Sequence, residues 1–512
     1  MDGRGPERTA CPDADAQADE RGRAPWGRDP IVTHRSEGAL EVTDDMGATL
    51  RELRRLAEQT PPSRERFADL LRGLSILAVV LGHWLVTVVG YDRHRELVGR
   101  SALPDLPWAH PLTWVFQVLP VFYFVGGYAN AVSLSRHRGR GGDTTEWLLN
   151  RSGRLIRPTT ALVLVMAGGA LAAHLTGADP ARVRLVVWFA SIPLWFLVVY
   201  LIVIVLTPPM YALHRRYGLR VPLVLVGLVA LGDVARLLGA ASWGVGNFLF
   251  GWLAIHQMGF AWREGLLPAR PRVGVPMLLG GIGALLLLTL AGPYPISMIN
   301  VPGERLHNMS PPSLALLAVA ASQFGAILLL RDRAERWLRG PRPWMAVVAV
   351  NTVILTIFLW HVTAAILVTF VLHTAGALPT PEVGSAGWLA WRIPLLILCA
   401  CGLMPLVAIF GPIEVRSARR PATRRPWIPA GLARAANHPV ARLVLALAGF
   451  AGVVSALLGN SLLPSTSPTV FGLPTAALIA YLAGAAVLRL LRSAPPDVPR
   501  LLRSTPPDVP HR

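Results

Sequence analysis

Arg72 and His83 are the residues whose types and spacing point most directly to chemistry. They lie eleven residues apart in the apolar stretch running from Phe67 to Trp84. On an α-helix that separation is ~1,100° about the axis, within about 20° of whole turns, with a rise of ~16 Å. A cation and an imidazole therefore share one stripe of a helix apolar enough to enter a bilayer, where an ionisable side chain is costly and usually functional. A neutral imidazole can take a proton from a hydroxyl at ordinary pH. Gly73 and Gly82 beside the pair would let a neighbouring helix or a ligand approach. The expectation is Arg72 at the membrane entrance and His83 near mid-depth. The competing reading makes Arg72 a snorkelling anchor and His83 a hydrogen-bonded packing residue.

Two further segments carry polar or backbone-loosening features. Leu119-Pro120-Val121-Phe122-Tyr123-Phe124-Val125-Gly126-Gly127-Tyr128-Ala129-Asn130 puts a Pro and a Gly-Gly pair inside an apolar run, where the backbone ladder can loosen against a cavity or helices can pack closely. Asn150-Arg151-Ser152-Gly153-Arg154-Leu155-Ile156-Arg157-Pro158 places three arginines at three-residue spacing along one side of a helix. Such a row could hold the phosphates of a cytoplasmic cofactor, although it equally satisfies the charge bias of membrane loops. Asp233 reads as a partner of Arg236, and Asn247, His256 and Gln257 as interhelical hydrogen-bonding groups.

The elements that position these groups follow from composition. The chain has 512 residues, 53% of them hydrophobic and 15% charged, against about 25% charge in a soluble protein. Apolar runs recur at about 68–90, 112–134, 158–176, 185–208, 221–240, 244–262, 273–292, 312–330, 344–372, 388–412, 441–460 and 470–490, each near the ~20 residues that cross a hydrocarbon core. The fold class is therefore an all-α polytopic membrane protein of twelve spans. The net charge of +19 resides in short loops between spans, where it sets orientation and does not indicate nucleic-acid binding. Alternate connections hold arginines from Arg136 to Arg157, Arg215 to Arg220, Arg263 to Arg272, Arg331 to Arg342 and Arg416 to Arg425, whereas 373–387 and 461–469 hold no Lys or Arg. Both termini are expected in the cytoplasm of an integral plasma-membrane protein.

Residues 1–66 read as a disordered cytoplasmic tail, 67–415 as the membrane core, 416–440 as a basic loop, 441–490 as an additional helix pair and 491–512 as a Pro-rich tail with an eleven-residue duplication. Cys11, Cys399 and Cys401 form neither a disulfide framework nor a zinc site, and no metal is expected.

Taken in order, these segments resemble acyltransferase family 3 of membrane-bound acyltransferases. The likeness rests on Arg72-x10-His83 within Leu71-Arg72-Gly73-Leu74 and Leu81-Gly82-His83, on Phe122-Tyr123-Phe124-Val125-Gly126-Gly127-Tyr128, and on Arg151, Arg154 and Arg157-Pro158. Pro193-Leu194-Trp195-Phe196-Leu197, Phe358-Leu359-Trp360-His361 and Glu414 after the tenth span add to it, so the ordered set covers roughly residues 66–415. Gly126 stands where a Ser is common, Tyr200 lies where many members carry an acid, and Val415-Arg416 replaces an Arg-Pro pair.

The resemblance implies a ten-helix core that moves an acyl group, commonly acetyl from acetyl-CoA, onto a hydroxyl of a carbohydrate, glycolipid, envelope polymer or secreted metabolite. It makes Arg72 and His83 the essential pair and Arg151, Arg154 and Arg157 the acyl-CoA site. Tyr123, Gly126, Gly127, Trp195, Trp360, His361 and Glu414 are its lesser candidates. Acyl-CoA would be a co-substrate with no tightly bound cofactor, and the partners would be the lipid bilayer and a hydroxylated, glycan-containing acceptor. The rival readings are a twelve-helix secondary transporter, which usually shows two related halves not found here, and a non-catalytic scaffold or sensor on the same core.

Overall fold

The computed structural model describes residues 51–52, 54–61, 63–91, 97–419, 431, 437–463 and 469–493. The chain divides at residue 55, and the helical unit begins at Leu56. Most of the expected N-terminal tail, most of the basic loop and the Pro-rich duplication lie outside the described residues. The last part of the expected tail is pinned to the helical unit instead of being free of it. Arg331 Nη2 meets Glu65 Oε2 at 2.7 Å, and Trp344 Nε1 donates to Thr60 Oγ1 at 3.0 Å.

The unit is a helical assembly, in order α1 (Arg66–Val86), the hairpin strands β1 (Thr87–Tyr91) and β2 (Leu97–Ser101), α2 (Leu119–Gly139), α3 (Thr144–Leu175), α4 (Pro180–Ala190), α5 (Leu194–Tyr217), α6 (Arg220–Leu237), α7 (Asn247–Arg263) and α8 (Pro271–Leu286), then α9 (Leu314–Trp337), α10 (Pro341–Thr352), α11 (Ile354–Thr374), α12 (Ala386–Arg419), α13 (Pro439–Leu462) and α14 (Thr475–Ser493). Each of the twelve expected spans contains a helix. Ten helices among the described residues are long and apolar enough to cross a membrane. The other two expected spans correspond to α6, which includes Arg220, Asp233 and Arg236, and to α7, only 17 residues long and largely buried.

The outside of the unit is apolar while its interior holds polar groups, as expected of a chain dissolved in lipid. Ile393, Ile397, Met404 and Ile409 face outward from α12, and Leu223, Val224 and Leu231 from α6. Inside, His256 hydrogen-bonds Asn130 at 3.1 Å and Gln257 accepts from His214 at 2.8 Å, so the interhelical roles expected of these residues hold. Asn247 donates to Asp233 at 3.0 Å. Asp233, 1% exposed, also accepts from Arg236, Tyr294 Oη and the Leu314 backbone amide. That acid ties the 292–313 connection to α6 and α9 and has no free acceptor role.

Three boundaries differ from the hydropathy reading, and each difference has a local cause. The first span ends at Val86, because the β-branched Thr87, Val88 and Val89 continue into an antiparallel hairpin with Thr87 opposite Ser101. His83 therefore sits in the last turn of the helix and not midway along the span. The fourth span is broken between α4 and α5 at Ser191-Ile192-Pro193, where Asn460 donates to Ser191 Oγ at 2.9 Å. The ninth is broken between α10 and α11 at Val353, whose φ of −125° and ψ of 18° leave the helical region.

The break at Val353 is stabilised from a distance. Glu414 Oε1 accepts from the Leu355 amide at 3.1 Å, and Oε2 accepts from the Thr356 amide at 2.8 Å and the Thr356 hydroxyl at 2.7 Å. A carboxylate on the free amides of a helix N-terminus is a favourable cap. Glu414 itself lies within α12, which continues to Arg419 instead of ending before the acid. Glu414→Ala should cost about 0.5–2 kcal/mol, the range of a lost cap, with Glu414→Gln retaining more of it. A fall in the thermal unfolding midpoint in detergent checks this, and an unchanged midpoint for the alanine variant would contradict it.

Candidate active site

Arg72 projects from the second turn of α1 into a small polar knot. Its Nη2 lies 3.1 Å from Asp69 Oδ1, one helical turn earlier, and its Nε donates to Asn351 Oδ1 at 2.8 Å. The Asn351 amide returns to α1 by donating to the Asp69 carbonyl at 2.9 Å. Arg64 Nε donates to the other Asp69 oxygen at 2.6 Å, and this hydrogen bond raises the Arg64 guanidinium above its usual range despite partial burial. Asp69 is buried, while about a third of the Arg72 side chain, 32%, stays exposed. Arg72 is thus held in a fixed pose with part of its guanidinium facing open space.

The arginine row falls within α3 because that helix starts well before its apolar part. Asp143 caps it, its side chain accepting from the Glu146 amide at 2.8 Å, and the helix then runs 32 residues. Arg151 and Arg154 line two adjoining cavities. The outer one, ≈ 510 Å³, is a basic vestibule where Arg64, Arg72, Arg136, Arg140, Arg151 and Arg154 converge. The inner one, ≈ 400 Å³, shares Arg72, Arg151 and Arg154 and is otherwise mostly apolar. Among the described residues no carboxylate forms an ion pair with Arg151 or Arg154. Cations left uncompensated around a cavity fit an anionic ligand, and guanidinium groups match phosphate geometry in particular. Arg157 lines neither cavity.

Aromatic rings close the inner end of the second cavity. Phe122 meets Phe196 edge to face at 5.0 Å, and Phe196 meets Phe358 at 5.4 Å. Tyr200 stacks on Phe196 at 6.0 Å and lines the same chamber, as does Glu414. Beyond this septum, one turn further along α11, lies His361. Its Nδ1 is 2.6 Å from the Phe358 carbonyl; a carbonyl only accepts, so Nδ1 holds the proton and Nε2 offers a lone pair. Nε2 is buried without a hydrogen-bond partner, and the ring lies edge to face with His83 at 5.2 Å. Trp84 locks the two helices beside them, donating to the His361 carbonyl at 3.0 Å.

The structure therefore joins some of the expected residues and separates others. Arg72, Arg151, Arg154 and Glu414 meet at one chamber, and His83 and His361 form a pair deeper in the same direction along α1. His83 does not line the chamber; the septum stands between them. Tyr123, fully buried and stacked on Trp252 at 4.6 Å, is a packing residue of α2 and α7. Trp360 stacks on Phe410 at 3.9 Å and fastens α11 to α12. Trp195 is half-buried against Phe196, outside the chamber. Gly127 serves close packing of α2 on α7, and Gly126 leaves room beside the Tyr200 ring. Asp69 and Asn351, which fix Arg72, were not among the expected site residues. An acid three residues before an arginine in an apolar run was a readable signal for Asp69; nothing local marked Asn351.

A family model described as an acyltransferase domain matches residues 65–411. No curated protein matches the chain significantly, and no solved structure does. The match takes in Arg72 with Asp69 and Asn351, the arginine row, the septum and the histidine pair, and it ends before Glu414 and the last two helices.

Proposed function

This chain belongs to acyltransferase family 3, and from that premise we propose that it transfers an acyl group, acetyl in the simplest case, from a cytoplasmic acyl-CoA to a hydroxyl of a glycan-containing envelope acceptor or secreted metabolite. The observation that supports this most is the pair of cavities sharing Arg72, Arg151 and Arg154 and directed along α1 toward His83 and His361. The vestibule suits the phosphorylated head of the donor. The narrower apolar chamber suits its thioester-bearing arm. By the positive-inside rule the arginine-rich end faces the cytoplasm, where acyl-CoA is made.

In this reading the arm passes the aromatic septum and brings its carbonyl carbon within reach of His83. The acceptor approaches from the hairpin side of α1. His83 takes the proton as the hydroxyl oxygen attacks the carbonyl carbon. The carbon–sulfur bond then breaks, and the departing sulfur takes the proton back from the imidazolium. His361, its tautomer set by the Phe358 carbonyl, packs its ring edge to face against His83 and so orients that ring. Arg72, braced by Asp69 and Asn351, guides the donor between the two cavities.

The test is movement of labelled acetyl from acetyl-CoA into an envelope fraction by membranes containing the protein. A transporter or a non-catalytic scaffold would transfer none. Replacing Arg151 and Arg154 together by Gln should raise KM for the donor about a hundredfold or more, since each hydrogen bond to a charged group is worth about 1.5–3 kcal/mol. The change in kcat should be smaller. An unchanged KM would separate these arginines from donor binding.

A further inference from the structure

The helices α13 and α14 lie beyond residue 411, where the family match ends. They pack on each other through glycines, Gly449 and Gly452 against Gly484, and together they follow α3 along its length. At the start of α3, Arg442 Nη1 is 3.4 Å from Asp143 Oδ2, the acid that caps the helix. Further along, Tyr481 Oη lies 3.1 Å from Thr160 Oγ1. Toward its end a Cβ on Gly472 would fall 2.9 Å from Ala170 Cβ. On α4 the fully buried Arg184 donates to Asn460 Oδ1 at 2.8 Å and the Gly472 carbonyl at 3.1 Å. These contacts make the pair a brace on the helix that carries the arginine row.

One residue of the brace is chemically unlike the rest. Arg492, in the last turn of α14, lays its guanidinium in the notch that Gly153 leaves open; a Cβ there would lie 2.0 Å from Nη1. Both Nε and Nη1 of Arg492 are buried without a hydrogen-bond partner. Among the described residues no carboxylate forms an ion pair with it, and the charges acting on it are those of Arg157 and Arg154. Two guanidinium N–H groups buried without an acceptor beside the like charge of Arg154 are unfavourable unless an anion completes the site. Gly153 and Arg157 are four residues apart and share the face of α3 turned to α14. Arg151 and Arg154 line the cavities, and from Arg151 to Arg157 the helix rises about 9 Å.

We infer that Arg492, with Arg154, seats a second phosphate group of the donor, apart from the one held in the vestibule. The last two helices then belong to the donor site, and the ligand they select is a nucleotide phosphorylated at two separate positions. The inference rests on the acyl-CoA reading above.

Binding of CoA and of dephospho-CoA, which lacks the ribose phosphate, to the full-length protein in lipid nanodiscs tests it. Arg492→Gln should weaken CoA about tenfold and leave dephospho-CoA unchanged, and Arg492→Lys should recover part of the loss. Gly153→Ala, which displaces the guanidinium without removing it, should reproduce the selective loss, and so covers a case in which Arg492→Gln does not fold. Wild-type affinity for CoA in Arg492→Gln, or an equal loss for both ligands, would overturn the inference and leave the donor reading standing. A wild-type protein that binds neither ligand would overturn the donor reading, and this inference with it.

Discussion

His83→Ala is expected to lower acyl transfer by about 10²–10⁴-fold, the range over which a positioned general base contributes, while the protein still inserts and runs as a monodisperse species. The separation of these two outcomes follows from how the residue is held. The backbone carbonyl of His83 accepts from Thr87 Oγ1 at 2.6 Å, a bond that closes the last turn of α1 and survives truncation of the ring. No hydrogen bond to the His83 ring is formed among the described residues, and its ring contact is the edge-to-face one with His361. Removing it therefore leaves no buried donor or acceptor newly unpaired beyond His361 Nε2, already without a partner. His361→Ala should differ in kind: it removes the group that orients His83 along with a fully buried side chain, so both rate and thermal midpoint should fall. Arg72→Ala should chiefly weaken use of the donor, since Arg72 faces the cavities and not the histidine pair. Steady-state transfer in proteoliposomes, with size exclusion of each variant, reads these effects apart. Wild-type transfer by His83→Ala would remove His83 from the chemistry.

How much of this was legible beforehand depended on whether the signal was local. The Arg72–His83 stripe was readable because eleven residues close to within about 20° on a helix. Asp233 with Arg236 was readable for the same reason at three residues. The ninth apolar run, 344–372, is long enough to tilt or to include an interfacial turn, but the position of that break and the break in the fourth run are not legible. Hydropathy averages over ~19 residues and passes through Val353, which interrupts the ninth span for a single residue, and through Ser191-Ile192-Pro193 as well. What makes the first break possible is Glu414, some sixty positions away, and its role as a cap is invisible until α12 lies against α11. The chamber is likewise assembled from Leu56, α1, α2, α3, α5 and the 351–359 and 414–415 segments. No window of sequence contains it. His361 was recognisable from its Phe-Leu-Trp-His segment, but its partnership with His83 spans 278 positions and needs tertiary packing. The place of His83 in the last turn of α1 is not legible, because an apolar strand of a hairpin, Thr87 to Tyr91, is indistinguishable by hydropathy from the end of a helix.

The second large effect is structural and concerns the Gly-Gly pair of α2. Gly127→Ala should prevent α2 and α7 from packing, whereas Gly126→Ala should fold. A Cβ on Gly127 would lie 2.1 Å from the His256 carbonyl oxygen and 3.1 Å from the Gly259 Cα. A Cβ on Gly259 would in turn lie 2.1 Å from the Phe124 carbonyl oxygen and 2.6 Å from the Tyr128 amide. Both obstacles are main chain, so no rotamer change relieves them and the helices must separate. Overpacking a core costs about 1–3 kcal/mol when side chains can yield, and here the cost should exceed that range. At Gly126 the nearest atom is Cε2 of Tyr200 at 3.4 Å, an ordinary contact with a movable ring. The consequence of moving α2 would not stay local. Phe124 is sandwiched between Trp262 at 5.1 Å and Phe324 at 4.3 Å, and Tyr123 stacks on Trp252, so displacement strips three aromatic contacts at once. Phe122, one residue before Tyr123, is part of the septum and would shift with them, opening the chamber toward the histidine pair. Gly127→Ala should therefore yield little monodisperse protein, and what folds should transfer slowly. Gly126→Ala should retain the wild-type stability to within about 1 kcal/mol and show its effect, if the Tyr200 ring is pushed into the chamber, as a raised KM for the donor. Equal stability of the two variants would mean that the α2–α7 contact is looser than these distances require.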